Sequence, residues 1–231
     1  MRGGGAGSWG VIIDASLSTF PIFNATLHTV SVLTETLDQT ASLITTHAKH
    51  IGDWDQVGAG QYFSLAGSTT NSTLVFSTYF KDLDGDASKA QMSSFLADAA
   101  KIGAAIQGET TFTTIANDLV GSPDDPSGSN IIFSSRLIPD SVYSNAPESV
   151  GAAFKQLLSQ GILGVGGLLV AGGAFHVRDI LWSYSKLTID VGQVAANAHI
   201  DSAVLPAWRL AKTHVSILPD TVVSVKFDRF C

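Results

Sequence analysis

Segments with the two-residue alternation of a β-strand arrive in this sequence mostly in pairs, and a segment with the spacing of an amphipathic helix follows each pair. That order limits the possible folds. Two consecutive strands joined by a short turn pair antiparallel, and the helix that follows must bury its apolar stripe on one face of them. Residues 10–20 alternate Val11, Ile13, Ala15 and Leu17 with Ile12, Asp14, Ser16 and Ser18, and Pro21 ends the run. Residues 25–34 form a second strand rich in Thr and Val. A helix is expected over residues 35–54, where Leu37, Thr40, Ala41, Ile44, Ala48 and Ile51 share a face. Thr34 or Thr36 can cap it, and Glu35 and Asp38 suit its positive end.

The rhythm repeats. Residues 61–66 and 72–80 read as a hairpin, and a helix over 87–103 presents Ala90, Phe95, Leu96, Ala99 and Ile102 on its apolar face. Short extended pieces are expected over 110–115, a surface loop over 121–129 and a strand over 131–137. A third helix spans 147–161, with Pro147 in its first turn and Gly161 at its end. Strands follow at 163–170 and 187–195, then a helical turn at 206–212 and an extended segment over 215–230. The expected fold is α+β, a largely antiparallel sheet with helices on one face.

Charged residues make up only 14% of the chain against 45% hydrophobic, which indicates a large core under a weakly charged surface. The net charge of −7 and the absence of a long basic run argue against a nucleic-acid partner. The longest apolar run, residues 161–175, is broken by glycines and falls short of the ~20 residues of a spanning helix. It reads as a buried strand with flanking turns, and no membrane partner is expected. No signal peptide is legible in residues 1–10. The single cysteine, Cys231, permits no internal disulfide, CxxC pair or thiolate zinc site. Asn24-Ala-Thr26 and Asn71-Ser-Thr73 are N-glycosylation triplets, usable only if the chain enters the secretory pathway.

Gly5-Ala-Gly7-Ser-Trp-Gly10 matches G-x-G-x-x-G, but a strand rather than a helix is expected after it. The helix N-terminus that meets a pyrophosphate in a dinucleotide-binding unit is then absent. A glycine turn can still bring bare backbone N–H groups to a phosphate, or simply connect two strands. Asp82-Leu-Asp84-Gly-Asp86 has its glycine one position early for a calcium loop, and Ser93 stands where the closing Glu belongs, so a solvated turn is expected. His47 and His50 have metal-chelating spacing on a helix, but no carboxylate is evident on that face, and packing or surface roles are expected. No metal site and no catalytic residue is assigned. HExxH and GxSxG are both absent. Two polar clusters, residues 175–179 and the trio His199, Asp201 and Arg209, either line a pocket or satisfy local backbone.

The opening Arg2-Gly-Gly-Gly-Ala-Gly-Ser-Trp-Gly-Val-Ile-Ile13 resembles the R-G-G-G-G-x-[FW]-G-V-V-T segment of berberine-bridge-enzyme-like FAD-linked oxidases, of the vanillyl-alcohol-oxidase superfamily with its PCMH-type FAD-binding domain. Ser134-Ser-Arg-Leu-Ile-Pro-Asp140 resembles their S-S-R-L-I-P-[ED] stretch. Gly192-Gln193, Asn197-Ala-His-Ile-Asp-Ser and Ala203-Val-Leu-Pro-Ala-Trp-Arg209 resemble a third region. The resemblance implies that residues 1–20 are the end of an FAD-binding domain and residues 21–231 a substrate domain, incomplete at its C-terminus. It implies an FAD cofactor, contacted by Gly7, Gly10, Val11 and Ile12, and a small-molecule substrate such as an alcohol or sugar, contacted by Gln193 and His199. Hydride would pass to the flavin, and O2 would reoxidise it. Ala6 replaces one family glycine, and Asp14 stands where Thr or Ser is common. The covalent-attachment histidine and the closing motifs that ordinarily carry the base have no counterpart here. The resulting expectation is part of a secreted, fungal-type oxidase, inactive alone, whose partner is the flavin-binding lobe of a longer protein. The alternative is a non-catalytic α+β binding or structural module.

Overall fold

The computed structural model describes residues 10–14, 16, 21–68, 70–119, 134–162, 164–169, 201 and 205–218. In chain order these form β1 (Asn24–Thr34), α1 (Leu37–Gln56), β2 (Gly60–Gly67), β3 (Ser72–Lys81), α2 (Gly85–Lys101) and β4 (Ala105–Ile115). After a 3-10 turn at Ala116–Leu119 come β5 (Ser134–Pro139), α3 (Asp140–Asn145), α4 (Pro147–Ser159) and β6 (Gly164–Leu169). A second 3-10 turn, Pro206–Arg209, leads into β7 (Ala211–Leu218). The strands make one seven-stranded sheet in the order β4-β1-β3-β2-β6-β7-β5, with every pair antiparallel. The α+β fold expected from the sequence is the fold observed.

Local chemistry fixes where the helices begin. Thr36 Oγ1 accepts from the Gln39 N–H at 3.1 Å, and Gln39 Oε1 accepts from the Glu35 N–H at 2.7 Å, so side chains satisfy two backbone donors before α1. Asp84 caps α2 by accepting from the Ala87 N–H at 2.8 Å. The carboxylates read as a solvated turn are therefore turn and cap residues. Asp82, at φ 53°, holds the start of β1 through its Oδ1, which accepts from the Asn24 N–H at 3.1 Å. Pro147 opens α4, where a missing N–H costs nothing.

Alternation decides which face the helices cover. Val30 and Val32 of β1, Phe63 and Leu65 of β2, Leu74, Phe76 and Phe80 of β3, Val165 of β6 and Val215 of β7 are all buried. They form one cluster with Leu43, Ile44, Ile51 and Trp54 of α1, Met92 and Phe95 of α2, and Val150, Phe154 and Leu158 of α4. Each such side chain contributes roughly 1.5–3 kcal/mol relative to exposure. The centre is aromatic. Trp54 and Phe76 lie 5.7 Å apart, Phe76 and Phe95 meet edge-on at 5.1 Å, and the ring of His47 sits 5.1 Å from Phe63.

Two glycines permit close approaches that no side chain would. A Cβ at Gly151 of α4 would lie 2.3 Å from the Ala41 carbonyl oxygen and 2.2 Å from Thr45 Oγ1, so α1 and α4 cross almost backbone to backbone. A Cβ at Gly167 would lie 2.2 Å from Cζ of Phe63, whose ring covers that glycine. The α1–α4 contact is flanked by ion pairs, Lys49–Glu148 at 2.9 Å and Lys155–Asp38.

Several sequence expectations are corrected. The described residues of the proposed first strand, 10–14 and 16, adopt no strand. Their aliphatic side chains find no neighbouring strand, and Val11 and Ile13 are exposed. β4 runs eleven residues, longer than the pieces foreseen, because a Thr-rich edge strand exposed on both sides lacks a strong apolar alternation. α3 was not foreseen. The helical turn near 206–212 ends at Arg209, and Ala211 already belongs to β7. Within the apolar run at 161–175, β6 is the expected buried strand, and no described helix is long and apolar enough to cross a membrane. The loop at 121–129, the strand at 187–195 and the polar cluster at 175–179 lie outside the described residues.

Gly151→Val should lower stability by about 1–3 kcal/mol through overpacking against Ala41 and Thr45. The urea midpoint reads this directly. An unshifted midpoint would refute the close α1–α4 crossing.

Candidate functional site

The sheet face opposite the helices is the candidate site. Between the shift beyond Ser31 in β1–β4 and the one beyond Ile138 in β5–β7, register is continuous, so side chains on this face line up in rows perpendicular to the strands. One row pairs Leu137 with His214, places His214 and Tyr62 on either side of residue 168, and continues Tyr62–Ser77–Thr29–Thr110. The next row reads Ser135–Ser216–Gly166–Ser64–Val75–Ser31–Gly108. Its side chains are hydroxyls, glycines and one valine, so the second row is a trough beside a taller first row. On the far side of the tall row stand Tyr79, Leu27 and Phe112.

This floor is polar without charge. Among the described residues of these three rows there is no carboxylate, ammonium or guanidinium; Lys81, in phase with Tyr79 on β3, stands one row farther out, paired with Ala25. Thr29 Oγ1 and Ser77 Oγ share a hydrogen bond at 3.0 Å. Tyr62, 61% exposed, meets Tyr79 edge-on at 6.1 Å. Beside them a shallow depression of about 240 Å³ is lined by Gly60, Gln61, Tyr62, Tyr79 and Leu169. On β7, the imidazole of His214 lies 5.2 Å from the indole of Trp208. Such a surface can hold a neutral, ring-bearing ligand by stacking and hydroxyl contacts. Among the described residues no group of three or more His, Cys, Asp or Glu side chains could hold a metal ion.

A buried polar layer stiffens the floor from below. Gln61 donates from Nε2 to Thr78 Oγ1 at 2.9 Å, so its Oε1 is the acceptor for His47 Nε2 at 2.7 Å. That pattern places the ring proton of His47 on Nε2. Burial among aromatic rings pushes the His47 pKa down to about 4, against the opposing pull of the Gln61 hydrogen bond, so the ring is neutral at pH 7. His28 is also fully buried, with Nδ1 2.9 Å from Thr111 Oγ1 and Nε2 3.3 Å from Glu109 Oε1. The Nε2–Glu109 approach is a close contact without hydrogen-bond geometry. Burial lowers this pKa too, Glu109 opposes the shift and Lys89 adds to it.

At the other side of the sheet, Ile138 pairs with Thr213 but Pro139 pairs with Ala211, which leaves Lys212 as the extra residue of a bulge. Its ammonium reaches Asp55 at the end of α1 and Asp140 at the start of α3, the latter at 3.1 Å. Burial alone would lower the Lys212 pKa, but the hydrogen-bonded carboxylates of Asp55 and Asp140 outweigh it and hold the ammonium above its ordinary range. Tyr143 of α3 shares a 2.5 Å hydrogen bond with Thr213, and burial pushes its hydroxyl up to about 12. It therefore carries no proton traffic near neutral pH.

Of the residues singled out from the sequence, Gly10, Val11 and Ile12 are described, and all are exposed. Gly10 adopts φ 147°, a conformation that side chains disfavour, with nothing within 4 Å of where a Cβ would stand. Gly7, Gln193 and His199 lie outside the described residues. Asp201 is exposed. His47 and His50 pack against Trp54 and Phe95, and His50 does have carboxylates beside it, Asp53 at 3.5 Å and Asp98 at 3.1 Å. The floor residues Tyr62, Ser64, Ser77, Tyr79 and His214 were missed. Their signal was present, because each occupies the opposite phase of an alternation whose buried phase is legible, such as Phe63 and Leu65 around Ser64.

No protein-family model matches this sequence, and no curated protein matches it either. Its fold does have solved counterparts. It is similar to the VAO-type flavoprotein MtVAO713 from Myceliophthora thermophila C1, with a TM-score of 0.61 and 16% identity over 89% of this chain and 36% of that one. It is also similar to the VAO-type flavoprotein MtVAO615 from the same organism, with a TM-score of 0.57 and 13% identity over 87% of this chain and 34% of that one. The chain thus shares the fold of part of these flavoproteins and spans about a third of their length.

The neutral, buried His47 ties stability to pH. The unfolded chain takes up this proton near pH 6.5, but the folded chain only near pH 4. Stability from this group is therefore complete above about 6.5 and is lost as pH falls toward 4, by at most ~3 kcal/mol. His28 acts in the same direction. His47→Gln should be less stable at pH 7 and show a flatter dependence of urea midpoint on pH between 6.5 and 4. An equally steep profile in that variant would remove His47 as the cause.

Proposed function

We propose that this chain forms the substrate-side part of an FAD-dependent oxidoreductase of the vanillyl-alcohol-oxidase type, with further polypeptide supplying the flavin lobe. The observation that carries the reading is the sheet face that no described helix covers and whose central rows carry no charge. It belongs to a fold shared with two VAO-type flavoproteins, and it lies on the side that the helices leave free. The glycine turn adds support. The exposed backbone of Gly10 accepts a ligand's close approach, and the apolar side chains of Val11, Ile12 and Ile13 stand exposed as they would before joining another lobe. Gly10, Val11 and Ile12, with Gly7, are proposed to contact FAD, and Gln193 and His199 the substrate.

When bound, FAD would supply the hydride acceptor for a neutral alcohol or sugar, and O2 would restore its oxidised form. This chain's own residues would bind and orient the substrate. Tyr62 and Tyr79 would pack against its ring, while Ser64 and Ser31 would offer hydroxyls along the trough and Ser77 and Thr29 beside it. The closed hydrogen-bond network of His47, Gln61 and Thr78 would keep that floor rigid and exclude water from beneath it.

The chain alone should bind FAD weakly or not at all, and a stoichiometric yellow protein after purification with excess FAD would contradict that. In the flavin-loaded full protein, Ser64→Trp should fill the trough and lower kcat/KM at least tenfold, with the flavin absorbance unchanged. A full protein whose flavin is bleached by no alcohol or sugar would sink the oxidase reading. Unaltered turnover in Ser64→Trp would remove this face from the active site.

A further inference from the structure

We infer that Asn71 is a covalent N-glycan acceptor. Both glycosylation triplets lie within the described residues, and both asparagines are exposed. They differ at the third position, where the hydroxyl takes part in recognition of the triplet. In the triplet Asn24-Ala-Thr26 the hydroxyl of Thr26 is fully buried. It donates to the Leu83 carbonyl at 2.5 Å and lies 2.8 Å from Thr113 Oγ1, so this triplet is open to glycan transfer only until folding closes β4 on β1. In Asn71-Ser-Thr73, Thr73 lies half-exposed on the open face, and its hydroxyl makes no hydrogen bond among the described residues.

The turn that carries Asn71 is also built to tolerate the modification. Ser68 Oγ lies 3.1 Å from Asn71 Oδ1, the Ser68 N–H donates to the Asn71 carbonyl at 2.7 Å, and the Asn71 N–H donates to Ser68 Oγ at 3.3 Å. Every one of these bonds uses the backbone or Oδ1. Nδ2 of Asn71, the atom a glycan would occupy, has no partner among the described residues. Glycosylation would form a bond between Nδ2 and the anomeric carbon of an oligosaccharide carried on a lipid diphosphate. The bond from that carbon to the phosphate oxygen breaks, the lipid diphosphate leaves, and the amide gives up one proton. Oδ1 stays free, so the turn keeps its hydrogen bonds. The position also suits the rest of the molecule. Asn71 sits at the β2–β3 hairpin tip, off the end of the strands, where a glycan covers neither the helices nor the floor.

The test is the mass of the protein purified from the cells that make it, before and after treatment with a peptide:N-glycosidase in H2(18)O. The expected result is loss of one glycan mass and conversion of Asn71 to 18O-labelled Asp. Asn71→Asp, which keeps an oxygen for Ser68, and Thr73→Ala should each abolish that loss in the same cells, with circular dichroism unchanged. Unmodified Asn71 in the native protein, or a glycan confined to Asn24, would overturn the assignment.

Discussion

The architecture depends on one cluster of rings, His47, Trp54, Phe76 and Phe95, with Phe63 against it. It ties α1, α2, β2 and β3 together at a single point. His47 is its titratable member, and its Nε2 proton is committed to Gln61 on β2. Gln61 in turn is committed to Thr78 on β3. A buried amide and imidazole left unpaired would each cost about 1–3 kcal/mol, so the network accepts one pairing of α1 with these strands and penalises the others. Packing supplies the stabilisation, and the hydrogen bonds supply the register.

Register then governs the opposite face. A slip of one residue of β2 along β3 would turn Phe63 and Leu65 to the open face and bury Tyr62 and Ser64. The same pairing that fills the core therefore lines the small side chains of the trough into a row, with Ser64, Val75 and Ser31 abreast. Among the described residues, the floor's own side-chain contacts are a hydroxyl pair, a tyrosine pair and the His214–Trp208 ring contact. The floor inherits its order through the backbone from the aromatic side.

Much of this was legible in the sequence. The β2–β3 hairpin, a helix opening near Thr34 or Thr36, the helix start at Pro147 and the α+β class follow from period and capping chemistry, which are local properties. What was not legible depends on contacts distant in sequence. β4 lacks a hydrophobic signal because its stability comes from pairing with β1, 72 or more residues away at every registered position. α3 spans only six residues and is held by Tyr143 on Thr213 and by Asp140 on Lys212, 70 and 72 residues away in sequence. His50 was judged to have no carboxylate near it because Asp98 approaches from α2, although Asp53 was within reach on its own helix. No motif marks the floor, whose residues occupy the phase of each strand that alternates with the buried one.

The bulge at Lys212 shows how the sheet's two faces are kept distinct at its far edge. In unbroken alternation Lys212 would stand on the open face beside His214, since both are even-numbered positions of β7. There it would place an ammonium on an otherwise uncharged floor. The extra residue turns it instead toward the helices, where Asp55 and Asp140 receive it. Two carboxylates make burial of the ammonium tolerable, and the pairing secures the end of α1 and the start of α3 to β7. A single irregularity thus removes a charge from the candidate site and converts it into a tie within the helical layer. The neutrality of the floor is a consequence of backbone geometry as well as of composition, which is why counting charged residues along the strands does not reveal it.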